Sequence, residues 1–249
     1  MRVMTLCCAV SILLLCSLQG RSQFFVGAEG GLNMNYLTTS NASEPFTQYQ
    51  GMKGFNIGIP VGYQFTDWLA IIATPTYIKK NYDIVRTGFF TGVYQKNYNT
   101  YLQLPITARL SFGGEQLRGF VDLGGYAAYW QSARIKGTDA NILNEVDTAF
   151  QTVNPTSILG ENAPYSYDQK YTFNSKKDQR VELGLVGGLG VSYELLETYT
   201  FYLEGKYYRA MTDQQKHYET SQAPRYNDNF GLVLGCTVKV NQIVSLFKR

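Results

Sequence analysis

His217 is the only histidine in this chain of 249 residues, and acid–base catalysis near neutral pH most often depends on that residue type. A Ser-His-Asp hydrolase holds its histidine between a serine nucleophile and a carboxylate. Ser221, Asp213 and Asp228 all lie close to His217 in the sequence. The segment that contains them is polar, and a polar loop is the ordinary setting for a solvated histidine. We therefore predict no catalytic residues, and we expect that the protein is not an enzyme.

A glycine-rich run, Gly184-Leu-Val-Gly-Gly-Leu-Gly190, has the composition of a phosphate-binding loop. A dinucleotide-binding fingerprint requires a strand, a tight turn and then a helix. Here the run lies inside a segment of alternating residue types, so we expect its glycines to relieve crowding or to permit a strand to bend. Thiolate ligands are also scarce, because Cys7, Cys8 and Cys16 lie in an apolar N-terminal leader. We predict neither a cofactor nor a metal site.

Charged side chains of both signs are the third candidate for chemistry. They occur on the polar side of otherwise apolar segments: Glu29, Arg109, Asp122, Arg180, Glu182, Glu204 and Lys206. Opposite charges that share a narrow interior of low dielectric constant should pair and fill the space. We expect Glu29, Glu204 and Lys206 near the middle of that interior and the other four toward its ends. A conducting path or a proton relay along the same residues is the alternative.

The elements that position these residues follow from a hydrophobic period of two. From Phe55 to Phe65, every second residue is large and apolar, and the residues between them are Asn, Gly, Pro, Gly and Gln. Seven further segments repeat this pattern, and they begin near Phe24, Leu69, Tyr98, Leu117, Val181, Tyr199 and Phe230. The segment 69–80 is the weakest, because Ile71 and Ile72 fit either parity. Eight strands of roughly 9 to 11 residues have the length that a tilted membrane strand requires.

The connections between these segments alternate in length. Three are tight (66–67, 113–116 and 196–198), and four are long (37–53, 83–95, 132–178 and 212–226). Long and short connections alternate strictly, beginning with a long one. An up-and-down barrel with both chain ends in the periplasm requires this order, with short periplasmic turns and long extracellular loops.

The polar face distinguishes a membrane barrel from a soluble one. It is rich in Gly, Asn, Ser and Thr, whereas a water-exposed face would carry many more Lys and Glu. Small residues suit the crowded interior of an eight-stranded barrel, and large aromatic residues gather at both ends of the apolar face, as at two membrane interfaces. We predict an all-β, transmembrane, eight-stranded antiparallel up-and-down β-barrel. A soluble lipocalin-like ligand-binding barrel, with its apolar face inside, is the alternative.

Two basic residues, Lys79 and Arg209, share the apolar parity at the predicted outer ends of their strands. A basic side chain at the membrane midplane costs about 2 to 4 kcal/mol, and this cost fades toward the rim. These outer-rim side chains could meet lipopolysaccharide phosphates, although simple snorkelling to the interface is favoured. Outer-membrane lipid is the expected partner, with lipopolysaccharide as a candidate.

The chain ends differ in composition from the segments between them. Arg2, a long apolar run, and small residues at Gly20 and Ser22 have the form of a cleaved secretory signal peptide at 1–22. We place the barrel domain at 23–240 and a C-terminal tail at 241–249. Removing Arg2 and Arg21 with the signal leaves 20 basic and 19 acidic residues, so no nucleic-acid partner is expected.

Three stretches carry a resemblance to a known family: Gly54-Phe-Asn-Ile-Gly-Ile-Pro-Val-Gly-Tyr-Gln-Phe65, Leu102-Gln-Leu-Pro-Ile106 and Phe120-Val-Asp-Leu-Gly-Gly-Tyr126. With the alternating strands, they resemble the PorT-like outer-membrane β-barrel family of the Bacteroidetes. The resemblance runs from about residue 24 to residue 240. It implies an outer membrane protein beta-barrel domain in the outer membrane of a Gram-negative bacterium. A few members are linked to protein secretion machinery, so a secretion role is among the functions it implies.

The longest connection, 132–178, is where we predict a protein partner. It contains Tyr165, Tyr167, Tyr171 and Phe173, and exposed aromatic residues suggest strand extension above the membrane or a binding surface. Thr148 lies in a short acceptor motif for O-glycosylation. The leading prediction is a non-enzymatic barrel with a side-chain-filled lumen and a structural or interaction role through its extracellular loops. The alternatives are a component of a secretion or envelope-assembly complex and, second, the soluble barrel.

Overall fold

The computed structural model describes residues 23–39, 46–88, 91–139, 165–196, 198–217 and 223–240. The predicted signal peptide at 1–22 and the predicted tail at 241–249 lie outside these ranges and stay predictions. Within the described part of the chain, no helix is long and apolar enough to cross a membrane.

The described ranges contain twelve β-strands, and all of their pairings are antiparallel. The strands are β1 (Gln23–Thr39), β2 (Thr47–Gly58), β3 (Val61–Thr66), β4 (Leu69–Ala73), β5 (Thr76–Lys79), β6 (Tyr82–Arg86), β7 (Tyr94–Gly113), β8 (Leu117–Asp139), β9 (Tyr165–Lys170), β10 (Val181–Leu195), β11 (Tyr199–Ala210) and β12 (Arg225–Lys239).

Several of these strands are pieces of one longer pass through the sheet. Ile59 and Pro60 separate β2 from β3, residues 74–75 and 80–81 separate β4, β5 and β6, and β9 and β10 both pair with β8. Two of these breaks contain a proline, Pro60 and Pro75, which has no N–H to donate to a ladder, whereas Pro105 lies inside the continuous strand β7. Pairing continues across them, since the Gly27 amide donates to the Pro60 carbonyl over 2.9 Å. The described strands thus make eight antiparallel passes.

The first and last strands close the sheet into a barrel. β1 pairs with β12 from Phe25 opposite Lys239 to Thr39 opposite Arg225. β7 and β8 pair along almost their whole lengths and complete the ring. The predicted all-β, antiparallel up-and-down architecture is confirmed. A closed ring satisfies its own backbone hydrogen bonds, which is the condition for a sheet to span a bilayer.

The two faces of the barrel separate by polarity. Ile57, Leu104 and Leu185 point outward and are 59%, 42% and 55% exposed. Glu204 and Asn35 point inward and are 0% exposed. An outer surface of aliphatic side chains requires hydrocarbon around it rather than water. The soluble lipocalin-like alternative, which needs these aliphatic residues inside, is therefore wrong.

The strands extend further outward than the alternation predicts. β1 ends at Thr39 and β2 begins at Thr47, within the predicted connection 37–53. β8 continues to Asp139 and pairs there with β9, within the predicted connection 132–178. Beyond the membrane the apolar alternation that marks a strand in the sequence is no longer required, although the backbone pairing continues.

Tight turns join the strands at the opposite end of the barrel, as predicted. The Leu69 amide donates to Thr66 Oγ1 over 3.1 Å and so closes the first turn. Gly113, at the second turn, has a φ of 122°, in the region that favours glycine. These short turns belong to the periplasmic side, and the long connections extend from the outer side.

Candidate functional site

Charged side chains and one tyrosine fill the middle of the barrel. We call this group the mid-lumen cluster, and its members are Glu29, Arg109, Asp122, Tyr202, Glu204 and Lys206. Arg109 in β7 lies opposite Asp122 in β8, and its guanidinium donates one hydrogen bond of 2.8 Å to each carboxylate oxygen. Its Nη2 also lies 3.1 Å from Glu204 Oε2. A planar guanidinium fits a carboxylate in this two-bond geometry, which a lysine cannot reproduce.

Lys206 extends the cluster to the opposite wall of the barrel. Its Nζ lies 2.9 and 3.0 Å from the two oxygens of Glu29 and 3.5 Å from Glu204 Oε2. Tyr202 donates its hydroxyl to Glu29 Oε2 over 2.7 Å. Ion pairs therefore run without a break from Asp122 in β8 to Glu29 in β1. Removing a buried ion from water costs several kcal/mol, so each of these charges needs the partners that it has.

Aromatic rings pack around the ion pairs and leave little free volume. The guanidinium carbon of Arg109 lies 3.7 Å from the centre of the Phe120 ring and 5.2 Å from that of Tyr202. The cavity that remains beside the cluster measures about 10 Å³, which has room for about one water molecule. The middle of the lumen is thus filled by protein.

Inward-facing glycines make room for these large side chains. A Cβ atom at Gly190 would lie 2.3 Å from the Phe120 ring, and one at Gly188 would lie 2.3 Å from Glu204 Oε1. Both positions belong to the glycine-rich run of β10, which therefore relieves crowding as expected from the sequence.

A second group, the outer lumen cluster, lies nearer the outer mouth and consists of Lys80, Tyr101, Tyr126, Glu182 and Asn227. Lys80 is fully buried and forms an ion pair with Glu182. Glu182 also accepts hydrogen bonds from Tyr126 Oη over 2.8 Å and from Asn227 Nδ2 over 2.7 Å. The Lys80 ammonium lies 4.8 Å from the ring centre of Tyr126 and 5.1 Å from that of Tyr101. This lysine is the partner of Glu182 that the sequence analysis missed.

Aromatic residues pack at the outer end of the lumen, above these two clusters. Trp130 lies nearly parallel to Tyr101 and Tyr171, with both pairs of ring centres 5.9 Å apart, and the edge of Phe173 packs against it at 4.9 Å. Asp178 accepts a hydrogen bond of 2.9 Å from Tyr171 Oη. Tyr171 and Phe173, predicted as exposed loop residues, are therefore packed against the barrel core.

Arg180 does not join the charged interior, and that expectation is corrected. Its guanidinium donates to the backbone oxygens of Trp130 and Gln131 over 3.0 and 3.2 Å. It also lies 4.5 Å from the ring centre of Tyr129 and 4.2 Å from that of Phe173. Arg180 precedes β10, where it bonds to carbonyl groups of β8 at the outer rim rather than to a lumen carboxylate.

The two outer-rim basic residues have different surroundings. Lys79 donates to Thr100 Oγ1 over 2.7 Å, and its ammonium lies 5.4 Å from the ring centre of Tyr77. Arg209 lies directly opposite Asp228 on the neighbouring strand. The two residues are on different sides of the barrel, and within the described strands Arg209 lies opposite a carboxylate, whereas Lys79 lies opposite Thr100.

The candidate hydrolase residues do not form a Ser-His-Asp triad within the described ranges. His217 is exposed, and Asp213 Oδ1 accepts hydrogen bonds of 2.9 Å from the amides of Gln215 and Arg225. Asp228 is bonded to Tyr207 on the outer face, and Ser221 lies outside the described residues, as does Thr148. No cluster of three or more potential metal ligands occurs within the described ranges.

A sequence profile for the outer membrane protein beta-barrel domain matches residues 19–215. The chain belongs to this family. It lies in the outer membrane of a Gram-negative bacterium, with its apolar face against lipid. The narrower assignment to the PorT-like proteins of the Bacteroidetes stays a prediction.

Three solved structures are similar to this chain over most of its length. Neisserial surface protein A is 14% identical, with 88% of this chain and 99% of that chain covered and a TM-score of 0.42. OprG from Pseudomonas aeruginosa is 13% identical, with 89% and 98% covered and a TM-score of 0.45. Ail from Yersinia pestis, in complex with the heparin analogue sucrose octasulfate, is 9% identical, with 86% and 99% covered and a TM-score of 0.38. A comparison with curated proteins gives no match.

Proposed function

We propose that this protein is a non-enzymatic outer-membrane barrel whose lumen is closed by side chains and whose working surface is extracellular. The mid-lumen cluster carries the proposal, because its ion pairs join opposite walls and leave a cavity of about 10 Å³. A pore needs a continuous file of water. The outer lumen cluster and the stacked rings at Trp130 interrupt that file at two further depths.

Thermal opening of the lumen is expected to be rare. Breaking a buried ion pair by displacing one partner costs about 3 to 5 kcal/mol. For water or an ion to pass the mid-lumen cluster, at least one ion pair must break. That pair is either Arg109 with Glu204 or Lys206 with Glu29. The open state is therefore populated at between about one part in a hundred and about one part in several thousand.

Planar-bilayer recording with purified, folded protein tests this proposal. We expect no steady unitary conductance from the native chain. The double variant Arg109→Ser with Asp122→Ser removes a cation and an anion together, and we expect it to conduct because the lumen loses two large side chains. Heat-modifiable gel migration checks that both proteins are folded. A steady unitary conductance of the native chain would contradict the closed lumen.

A component of a secretion or envelope-assembly complex, as the PorT-like resemblance implies, is the second candidate function. A polar recess of about 70 Å³ supports it, and its lining at the periplasmic end includes Arg118, Glu194 and Lys239. Affinity purification from native membranes separates this function from the first. A stoichiometric set of periplasmic partners that is lost in an Arg118→Ala variant favours the complex, whereas purification of the barrel alone favours an independent role.

We infer no catalytic role for His217, because the side chain is exposed and its neighbour Asp213 is bonded to two backbone amides. A His217→Ala variant should show the same activity as the purified native protein in every hydrolase assay. Loss of a hydrolase activity in that variant would establish an enzyme instead.

We propose two kinds of partner for the outer surface. The outermost residues of β8 and β9, beyond Lys136 and Asp168 in the predicted connection 132–178, are the proposed surface for a protein partner, since this pair extends beyond the membrane. Outer-leaflet lipid contacts the apolar face, and lipopolysaccharide is proposed as the lipid that meets the basic rim. The structure favours Lys79 over Arg209 for that contact, because Asp228 already faces Arg209.

A further inference from the structure

Six basic side chains occupy one side of the outer surface, directly beyond the apolar band. We call them the basic face: Lys53, Lys79, Lys96, Arg134, Lys136 and Lys170. They come from β2, β5, β7, β8 and β9, which form one continuous part of the sheet. Lys96 lies opposite Lys136, and Arg134 lies opposite Lys170. Side chains alternate between the two faces of β7. Because Asn97 and Asn99 are buried, Lys96 and the basic residues that share its parity on neighbouring strands face outward.

Acidic side chains offset only part of this charge. Asp168 binds Arg134 through bonds of 2.6 and 3.0 Å and lies 4.0 Å from Lys136. Asp83 lies opposite Lys96. Among the described residues, no carboxylate oxygen is within 4.0 Å of the ammonium groups of Lys53, Lys79, Lys96 or Lys170.

Two pairs of like charges also stand directly opposite each other on adjacent strands. Lys96 faces Lys136 and Arg134 faces Lys170, and like charges directly opposite each other destabilise a sheet. Two carboxylates flank these pairs, since Asp83 lies opposite Lys96 and Asp168 lies opposite Lys136. Among the described residues, the six basic side chains therefore leave this face with an excess of four positive charges over these two carboxylates. On the other side of the barrel, Arg209 lies opposite Asp228 in the register.

We propose that the basic face binds the phosphorylated headgroup of an outer-leaflet glycolipid. Lys53 continues the outward parity of Phe55 and Ile57, and Lys79 continues that of Tyr77. An acyl chain that packs on Ile57 therefore carries its headgroup to the height of Lys53 and Lys79. Lysine and arginine in this position keep their stems on apolar surface while the charged ends bind phosphate oxygens.

The position of the basic face on the side wall of the barrel favours a lipid over a soluble polyanion as its ligand. Its residues are on the side wall, continuous with the lipid-contacting surface, rather than at the outer mouth of the barrel. This inference rests on the proposed contact with outer-leaflet lipid and is independent of the closed lumen, which conductance tests separately.

Native mass spectrometry of the detergent-solubilised full-length protein tests the site. The probes are diphosphorylated lipid A, the same lipid after removal of its phosphates, and phosphatidylcholine. We expect the native chain to prefer diphosphorylated lipid A. The triple variant Lys53→Gln, Lys79→Gln, Lys170→Gln should bind it on the order of 100-fold more weakly. Arg209→Gln, the matched control, should change the affinity less than about twofold, since Arg209 lies on the other side of the barrel, away from the basic face, with Asp228 opposite it in the register.

Three outcomes would overturn the proposal: equal binding of lipid A with and without phosphates, equal losses in the triple variant and in Arg209→Gln, or tighter binding of soluble inositol hexakisphosphate than of lipid A. The last outcome would assign the basic face to a soluble polyanion. Heat-modifiable migration of each variant shows that the barrel is folded, so a loss of binding reports on the site.

Discussion

Arg109 and Asp122 face each other on β7 and β8 inside the barrel, joined by two hydrogen bonds of 2.8 Å. Arg134 and Asp168 make a similar two-bond contact on β8 and β9, but in water beyond the membrane. The same pair of residue types thus occurs at two depths of one protein. The comparison separates the effect of burial from that of geometry.

Removing the inner carboxylate should be far more damaging than removing the outer one. Asp122→Ala leaves the buried Arg109 guanidinium with Glu204 alone, and we expect a loss of about 3 to 5 kcal/mol in the free energy of unfolding. Asp168→Ala exposes Arg134 only to water, so its effect should be several-fold smaller. Urea unfolding in lipid vesicles, followed by tryptophan fluorescence, measures both. Equal losses would show that the inner pair is not desolvated.

The pH response of the outer pair follows from the lowered pKa of Asp168. The hydrogen bond from Arg134 is the main cause, and burial opposes it, so the carboxyl titrates below its ordinary value of 3.8. The contact between β8 and β9 is therefore fully stabilised above that value and weakens as the pH falls through the lowered pKa. Carbon-13 NMR titration of the Asp168 carboxyl checks this, and Arg134→Gln should return its pKa toward 3.8. A native pKa above 3.8 would contradict the pairing.

Two glycines of β10 should differ in their tolerance of a methyl group. A Cβ at Gly190 would lie 2.3 Å from the Phe120 ring and 2.6 Å from the Leu203 carbonyl oxygen, so Gly190→Ala should cost about 1 to 3 kcal/mol. At Gly187, on the outward face, the nearest atom would be 3.7 Å away, and Gly187→Ala should be nearly neutral. Urea unfolding of both variants provides the comparison. A neutral Gly190→Ala would mean that the lumen is less crowded than described.

The energetic cost of a charged residue on the outer face should increase with its depth in the membrane. Ile106 lies near the middle of the outward face of β7, whereas Phe112 lies near its periplasmic end. Ile106→Arg should cost about 2 to 4 kcal/mol in a bilayer, and Phe112→Arg about 0 to 1 kcal/mol. Reversible unfolding in lipid vesicles measures the difference. A larger penalty at Phe112 would place the membrane elsewhere on the barrel.

Residue parity in the sequence predicts which side chains enter the lumen, but it does not predict which of them meet. A period of two assigns Glu29, Glu204 and Lys206 to the inner face. The contact between Lys206 and Glu29 joins residues 177 positions apart, and it depends on how far neighbouring strands are staggered around the ring. That stagger is a property of the whole barrel, so no local pattern reports it.

Two lumen assignments fail for local reasons. Lys80 follows Lys79, whose outward parity leaves Lys80 on the inner face. The weak pattern of the segment 69–80, in which Ile71 and Ile72 fit either parity, does not identify it as a lumen residue. Its parity follows from Tyr77 and Lys79, which face outward. The sequence pattern places Arg180 in the lumen because the alternation of β10 extends by one residue before Val181. The strand does not include that position, and its side chain bonds to carbonyl groups instead.

The two prolines that interrupt strands of the barrel wall should make its two halves differ in stiffness. Pro60 and Pro75 break two adjacent passes, whereas β8, β10, β11 and β12 run through the membrane without such gaps. The half that contains the prolines has fewer amide donors to resist shear. Slow deuterium uptake should therefore concentrate in the C-terminal half. Because its backbone ladder is continuous, that half is expected to be the stiffer part of the cylinder.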